Sequence, residues 1–155
     1  MNDDRRLYFE DLAPGQKYTS GRLRVDAAAI KAFAATYDPQ PFHLDEDAAR
    51  ASFFGGLAAS GWHTAAMTMR LLVESDFKPA GGIVGGWTDE LRWPRAVRPG
   101  DELEVLAEVL EVRPSRSRPE HGIVKCRTTT LNQQGEPVQV LVMNLLVESR
   151  RAGAR

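Results

Sequence analysis

Apolar and polar positions follow two different patterns along this chain, and the change comes near residue 80. Before that point, apolar residues recur at spacings of three and four, which is typical of helices. Beyond it, short alternating runs are separated by glycine and proline, as in antiparallel strands joined by turns. Helices followed by consecutive strands predict the α+β class. A length of 155 residues predicts a single domain spanning 1–155.

Two helices are expected in the first part of the chain. Asp26 stands before an alanine-rich stretch and can cap a helix from about residue 26 to 36. Residues 37–43 are expected to form a stiff loop, because two prolines lack an N–H and push their predecessors toward extended conformations. Residues 45–52 then predict a short helix that a following pair of glycines ends.

The third expected helix is the predicted hydrophobic axis of the fold. Ser60 can cap its first turn, and the helix is expected to run from Gly61 to about Val73 with few charges. The face expected to be buried consists of Ala65, Ala66, Met69, Leu72 and Val73, which recur at spacings of three and four. So few charges are typical of a well-buried helix.

The second half of the chain predicts four strands and the turns between them. The strands are expected at residues 83–93, 103–112, 122–131 and 137–147. One further strand can precede the first helix, near residues 17–25. The segment from Asn132 to Gly135 is rich in turn-forming residues, which predicts a hairpin between the last two strands.

Charge and cysteine content exclude several classes of function. The formal net charge is -1, so the sequence indicates neither a nucleic-acid-binding protein nor a polybasic membrane binder. There is no run of about 18 apolar residues, and we expect no membrane span. The single cysteine, Cys126, allows no internal disulfide and fits a reducing, cytoplasmic location. The three histidines are far apart, so no metal site is expected.

Asp38 and His43 are the first candidates for chemistry. Two prolines between them can fold the chain back, so that both side chains face one water molecule. A carboxylate and an imidazole together can take a proton from water and return one to carbon, since imidazole exchanges protons near neutral pH. The alternative is that Asp38 ties the loop and His43 is a hydrogen-bonded structural residue. Spacing by itself favours that alternative.

The start of the third helix is the second candidate. Ser60 can cap the helix, and Gly61 has no side chain to block approach to its N–H. A thioester carbonyl placed there would gain negative charge as water attacks the β-carbon, and a fixed backbone donor would stabilise that charge. The alternative is an ordinary capped helix whose glycine allows close packing, and in isolation this feature favours it.

Two segments of the chain resemble one known family. The sequence from Tyr37 to His43, YDPQPFH, and the sequence from Phe54 to Ala65, FGGLAASGWHTA, resemble those of MaoC-like acyl dehydratases and (R)-specific enoyl-CoA hydratases. That family has a hotdog fold, in which an antiparallel β-sheet wraps around a long central helix. The predicted strands and the turn near Pro99 also fit, so the resemblance extends over nearly the whole chain.

The resemblance implies roles for three residues. In the family, the aspartate and histidine of a D-x-x-x-x-H loop hold the catalytic water, and a glycine at the start of the central helix donates its N–H to the thioester oxygen. These positions match Asp38, His43 and Gly61, which are therefore the predicted catalytic residues. The resemblance also implies an acyl-CoA or acyl-carrier thioester as substrate, no cofactor, and a homodimer or higher homo-oligomer.

The chain departs from the family pattern within these segments. Gln40 stands where the family usually has asparagine, and Ser60 stands where histidine often precedes the glycine. We expect Gln40, Ser60 and Trp62 to contact the substrate. A serine that often supports the aspartate or histidine in the family would fall near Met69, so that supporting role is unassigned. His63 is assigned to packing.

The predicted reaction is the reversible addition of water to a 2-enoyl-CoA thioester, giving a 3-hydroxyacyl-CoA. Which of Asp38 and His43 is the acid and which the base is left open. An acyl-CoA thioesterase and a non-catalytic acyl-thioester-binding protein are the alternatives. Hotdog thioesterases often use a carboxylate on or near the central helix, and residues 61–73 contain no Asp or Glu, which favours the hydratase.

Overall fold

The computed structural model describes residues 5–153, which contain one five-stranded antiparallel sheet and four α-helices. The strands are β1 (Lys17–Arg24), β2 (Val84–Arg92), β3 (Glu102–Pro114), β4 (His121–Leu131) and β5 (Pro137–Glu148). They lie in the order β1-β3-β4-β5-β2, and every neighbouring pair is antiparallel. The structure thus confirms the α+β class and the five strands, with bounds similar to those predicted.

The helices are α1 (Ala27–Tyr37), α2 (Pro41–Leu44), α3 (Glu46–Arg50) and α4 (Gly61–Glu74), with 3-10 turns at Phe9–Asp11 and Arg150–Gly153. Asp26 caps α1 as predicted, because its carboxylate accepts a hydrogen bond from the N–H of Ala29 at 2.7 Å. The loop predicted for residues 37–43 is partly wrong, since Pro41 begins α2. Proline is tolerated there because the N–H it lacks would have no partner in a helix's first turn.

The helix α4 packs against the sheet, but its buried side differs in part from the prediction. Its buried residues are His63, Thr64, Met67, Thr68, Leu71 and Leu72, whereas Ala66 and Val73 of the predicted face are exposed. Threonines are tolerated inside because their hydroxyls have partners. Thr68 Oγ1 lies 2.9 Å from the carbonyl oxygen of Thr64 and 2.6 Å from Thr130 Oγ1 on β4.

The hydrophobic core holds the end of α1 close to the start of α4. Alternate residues of β3 and β4 point toward α4 and are buried, among them Leu103, Val105, Ala107, Val109, Val124 and Cys126. Ile30 and Ala34 of α1 are also fully buried. The end of α1 is thereby held near the start of α4, where the two candidate features meet.

The two edges of the sheet differ in their exposure. The pairing of β1 is irregular between Thr19 and Arg22, which breaks up its edge. The other edge strand, β2, pairs with β5 and has exposed residues along both of its faces, including Val84 and Trp87. Within residues 5–153, the structure has no helix long and apolar enough to cross a membrane.

Candidate active site

The turn between α1 and α2 brings Asp38 and His43 together. Asp38 follows the last residue of α1, and its N–H donates to the carbonyl of Ala34 at 2.9 Å. The chain then folds back, because the N–H of Gln40 donates to Asp38 O at 2.8 Å and that of His43 to Gln40 O at 3.0 Å. As a result His43 Nε2 lies 3.3 Å from Asp38 Oδ2. The convergence expected from the two prolines is confirmed.

The ring of His43 is held by a backbone carbonyl. Its Nδ1 lies 2.6 Å from the carbonyl oxygen of Ala58, and the side chain is 5% exposed. A carbonyl only accepts, so the hydrogen bond assigns a proton to Nδ1. In the neutral ring, Nε2 then carries a lone pair that faces Asp38 and the space beside it. This tautomer leaves Nε2 able to accept a proton.

Three groups surround the carboxylate of Asp38. Ser60 Oγ donates to Oδ2 at 2.7 Å, Gln40 Nε2 donates to Oδ1 at 2.5 Å, and His43 lies beside Oδ2. Burial raises the pKa of Asp38, but the hydrogen bonds from Ser60 and Gln40 and the charge of His43 outweigh it, so its pKa lies below the ordinary value. Asp38 is therefore ionised at neutral pH and acts only as an acceptor.

Gly61 provides a free backbone donor next to this pair. It is the first residue of α4, after Ser60, whose hydroxyl also accepts from the N–H of Trp62 at 3.3 Å. The N–H of Gly61 donates to no group in the described part of the chain, 5–153. Since N–H groups in a helix's first turn point away from the helix, this donor is available to a bound oxygen atom.

Two tryptophans line the side of the site next to Gly61. A Cβ added to Gly61 would come within 2.6 Å of the Trp93 ring, so any side chain at this position would displace the indole. Trp93 Nε1 donates to Gln139 Oε1 at 2.9 Å, which fixes the ring. Trp62 meets Trp93 edge to face at 5.3 Å and is 60% exposed. No pattern in the sequence predicts this contact, because Trp93 and Gly61 lie on separate elements far apart along the chain.

His63 lies on the same helix in a different environment. Its ring stacks on Phe33 of α1, with centroids 4.6 Å apart and planes 7° from parallel. Its Nδ1 is buried and has no hydrogen-bond partner among residues 5–153. Burial lowers the pKa of His63 below the ordinary value, so the ring is neutral at physiological pH. The assignment of His63 to packing agrees with this position.

The structure brings most of the predicted site residues together. Asp38, Gln40, His43 and Ser60 form one hydrogen-bonded cluster, and Gly61 follows directly. Ser60 is fully buried and its hydroxyl donates to Asp38, and its expected contact with the substrate stays a prediction. Its hydrogen bond supports the carboxylate of Asp38, a contact that the sequence left unassigned. Gln40 and Trp62 are exposed, and Trp62 is the one beside Gly61.

Residues capable of metal binding or thiol chemistry are not gathered at this site. Within residues 5–153, no group of three or more His, Cys, Asp or Glu side chains is arranged to hold a metal ion. Cys126 is buried on β4, and burial raises the pKa of its thiol to about 12. A thiol with such a pKa does not form the reactive thiolate at neutral pH.

Known proteins share this architecture and these segments. A family model described as MaoC like domain matches residues 10–132. A crystal structure of a MaoC-like dehydratase from Rhodospirillum rubrum is 60% identical, with a TM-score of 0.89, over 93% of this chain and 98% of that one. The 3-hydroxybutyryl-CoA dehydratase of Methylorubrum extorquens is 35% identical over 74% of this chain and 71% of its own length. R-hydratase PhaJ1 from Pseudomonas aeruginosa is 26% identical, with a TM-score of 0.74, over 94% of this chain and 88% of that one.

These matches bear directly on the expectations from sequence. The solved relatives confirm the hotdog fold, with the antiparallel sheet packed on the central helix α4. The matched range contains Asp38, His43 and Gly61, so the candidate site lies inside the family domain. The chain therefore belongs to the MaoC-like domain family.

Proposed function

We propose that this protein reversibly adds water to the double bond of a 2-enoyl-CoA thioester, giving a 3-hydroxyacyl-CoA. The observation that carries the proposal is the free N–H of Gly61, one residue beyond the serine that holds Asp38 near His43. The reaction needs these two parts, since water must lose a proton while negative charge collects on the thioester oxygen. The names of two relatives, a 3-hydroxybutyryl-CoA dehydratase and an R-hydratase, support the same chemistry.

The attacking water is bound by Asp38 and His43 together. Asp38 is ionised and accepts only, and neutral His43 offers a lone pair at Nε2. One water molecule can therefore donate one hydrogen to each side chain, which leaves its own lone pair directed at the substrate. Holding both reactants in this way replaces a bimolecular encounter by an oriented one, an effect worth several kcal/mol or about 7–11 at best.

The proton then passes through His43. As the new C–O bond forms at the β-carbon, the water's O–H bond breaks and its proton goes to Nε2. The π electrons move through the α-carbon onto the thioester oxygen, where the N–H of Gly61 stabilises the oxyanion. The imidazolium, stabilised by Asp38, returns the proton to the α-carbon as the thioester carbonyl re-forms. Every atom and electron is then accounted for, and no cofactor enters.

The remaining residues of the site support this sequence of steps. Ser60 and Gln40 position Asp38 and keep it ionised, so we assign both to the carboxylate rather than to the substrate. Trp62, exposed beside Gly61, is the residue we expect to touch the acyl-thioester. CoA and an acyl-carrier protein both present the same thioester to these residues, so the proposal covers acyl groups carried by either.

The test follows the absorbance of the enoyl thioester with crotonyl-CoA and with longer and branched analogues. Wild type is expected to hydrate at least one of them to the (R)-3-hydroxyacyl product. Asp38→Asn and His43→Ala are expected to lower kcat by about 10² to 10⁴, the usual contribution of a positioned acid or base. Unchanged hydration in both variants contradicts the mechanism, and an (S) product contradicts the stereochemistry. Release of free thiol without hydration would identify a thioesterase instead.

We also propose that the protein is a homodimer that forms along β2. The exposed faces and free edge of β2 would be covered by a second copy of the strand, which hides the unpaired backbone groups. Val84 and Trp87 are 44% and 45% exposed in the single chain and would be shielded there. Light scattering should give twice the chain mass for wild type and a shift toward monomer for Trp87→Lys. A wild-type monomer at micromolar concentration overturns this proposal.

A further inference from the structure

An irregular segment carries two of the contacts that shape the active site. Residues 54–60 are the later part of the connection between α3 and α4 and lie outside the helices and strands. The carbonyl of Ala58 holds the ring of His43, and the hydroxyl of Ser60 holds Asp38. Residues 57–60 are all buried. The geometry of the acid-base pair therefore depends on where this segment lies.

Arg98 ties this segment to the loop between β2 and β3. Its Nη1 donates to the carbonyl of Gly56 at 2.8 Å and approaches that of Leu57 at 3.4 Å, and its Nη2 donates to the carbonyl of Phe54 at 2.5 Å. The backbone adds one link, from the N–H of Ala59 to Val97 O at 2.9 Å. A guanidinium suits this task because its donors are planar and fixed in direction.

The loop that carries Arg98 is itself well fixed. The N–H of Arg98 donates to Asp101 Oδ2 at 2.8 Å, and the N–H of Asp101 donates back to Arg98 O at 3.1 Å. Gln133 Nε2 donates to the other carboxylate oxygen of Asp101 at 3.0 Å, which connects the loop to the β4–β5 turn. Arg98 thus transmits the rigid position of the sheet to an otherwise irregular segment.

We infer that Arg98 is a positioning residue of the active site. By holding the carbonyls of Phe54, Gly56 and Leu57, it sets the place of Ala58 O and Ser60 Oγ. Through these two groups it sets the tautomer of His43 and the orientation of Asp38. The importance of this role for catalysis rests on the proposed hydratase function. The effect on the ring of His43 does not, since it is a property of the protein without substrate.

The experiment compares Arg98→Lys and Arg98→Met with Arg95→Met. Arg95 lies in the same loop, but it pairs with Glu136 at 2.6 Å rather than with the segment 54–60. Its replacement therefore controls for the loss of an arginine from this loop. With the substrate that wild type hydrates best, Arg98→Lys is expected to lower kcat by about 10- to 100-fold, as a displacement of about 1 Å does. The KM is expected to change far less, and Arg95→Met is expected to match wild type.

A second readout needs no turnover. Nitrogen-15 NMR of the histidine rings, assigned with His43→Gln, should show a single neutral tautomer with the proton on Nδ1 in wild type and in Arg95→Met. In Arg98→Lys and Arg98→Met the His43 signals should shift toward a mixture of tautomers. In the turnover assay described above, the pH profile of kcat should also change shape.

The outcomes separate this inference from the proposed function. Wild-type kcat, pH profile and His43 tautomer in both Arg98 variants overturn it. So does an Arg98→Lys variant that fails to fold, because Arg98 would then be required for the fold rather than for the site. If no enoyl thioester is hydrated by wild type, the proposed function fails, and the NMR comparison still decides the role of Arg98.

Discussion

Two buried histidines lie close to the start of α4, and the surroundings of their rings are opposite in character. Both ring nitrogens of His43 face polar groups, with Ala58 O on one side and Asp38 on the other. His63 is stacked on Phe33, and its Nδ1 has no partner among residues 5–153. We call these two regions the polar centre, around His43, and the aromatic slot, around His63. They differ in whether polar groups are available to stabilise a protonated ring.

This difference is more informative than burial alone. A buried imidazole in an apolar slot is held neutral, because its charged form has lost water and gained nothing in return. An imidazole of fixed tautomer beside an ionised carboxylate can take up a proton and give it back. The polar partners of His43, rather than its position in the interior, are therefore the reason to propose it as the catalytic histidine.

The largest expected effect comes from replacing each histidine by the same residue. His43→Gln is expected to lower kcat by about 10² to 10⁴, because an amide at this position cannot carry the proton. His63→Gln keeps the polar centre intact and is expected to leave kcat within about threefold of wild type, although an amide buried in the slot should cost about 1–3 kcal/mol of stability. Enoyl-CoA hydration measured for the two variants checks the contrast. Equal losses in both would remove the distinction between the regions.

Gly61 lies at the start of α4, between the two regions. Its replacement is expected to have the second-largest effect on catalysis. Alanine keeps the N–H, but its Cβ would lie 2.6 Å from the Trp93 ring, so the indole or the helix start must move. Gly61→Ala is expected to lower kcat/KM by about 10- to 100-fold through the shifted donor and to cost about 1–3 kcal/mol of stability from overpacking.

Gly21→Ala is the matched control for that change, because a Cβ at Gly21 meets nothing within 4 Å. It is expected to retain wild-type kinetics. If Gly61→Ala also retains them, the donor at the start of α4 is not used in catalysis. A shift of tryptophan fluorescence in Gly61→Ala alone would report the displaced indole.

The residues of the polar centre could be predicted from the sequence, but the contacts that hold them in place could not. Asp38, His43 and Gly61 could be predicted because their identities are part of a family pattern. The carbonyl of Ala58 could not, since every residue has a carbonyl and only the path of the chain decides which one meets a histidine. The bond from Ser60 to Asp38 joins residues 22 positions apart, and no local pattern encodes it.

The helical face was predicted less well for a similar reason. Apolar spacing selected Ala66 and Val73, which are exposed, and overlooked Thr64 and Thr68, which are buried. A threonine in the core is acceptable when its hydroxyl finds a partner, here the carbonyl of Thr64 and the hydroxyl of Thr130. Hydrophobicity along one helix does not contain that information, because one of the two partners lies on a distant strand.

Replacing Ser60, which belongs to the polar centre, is expected to have a smaller effect on the pH dependence of catalysis. Its hydrogen bond helps to keep the pKa of Asp38 below the ordinary value, against the effect of burial. In Ser60→Ala the pKa of Asp38 should rise, so the acid limb of the kcat/KM profile should move to higher pH. Loss of the cap should also cost about 1 kcal/mol of stability.

Ser75 provides the control for Ser60, because it is a buried serine that bonds to backbone at the other end of α4. Ser75→Ala is expected to lose comparable stability with no movement of the acid limb. An acid limb that stays in place in Ser60→Ala would show that Asp38 need not be ionised for activity.

The smallest expected effect is the pH dependence of stability that the aromatic slot creates. Burial lowers the pKa of His63 in the folded protein. Above the ordinary histidine value of about 6.5, the ring is neutral in both states and contributes nothing. As pH falls below it, the unfolded chain takes up a proton that the folded slot refuses, so stability is lost until the folded pKa is reached. The slope from one such group is at most about 1.4 kcal/mol per pH unit.

Chemical denaturation between pH 7.5 and pH 5 measures this term. Wild type should lose more free energy of unfolding over that range than His63→Gln, which carries no titrating group in the slot. All other titrating groups are common to both proteins, so their contributions cancel in the difference. Parallel stability profiles would mean that the slot admits the charged ring, and the neutral, unpartnered state assigned to His63 would be wrong. A steeper loss in wild type would instead tie the contrast between the two histidines to a single cause, the presence or absence of polar partners for the proton.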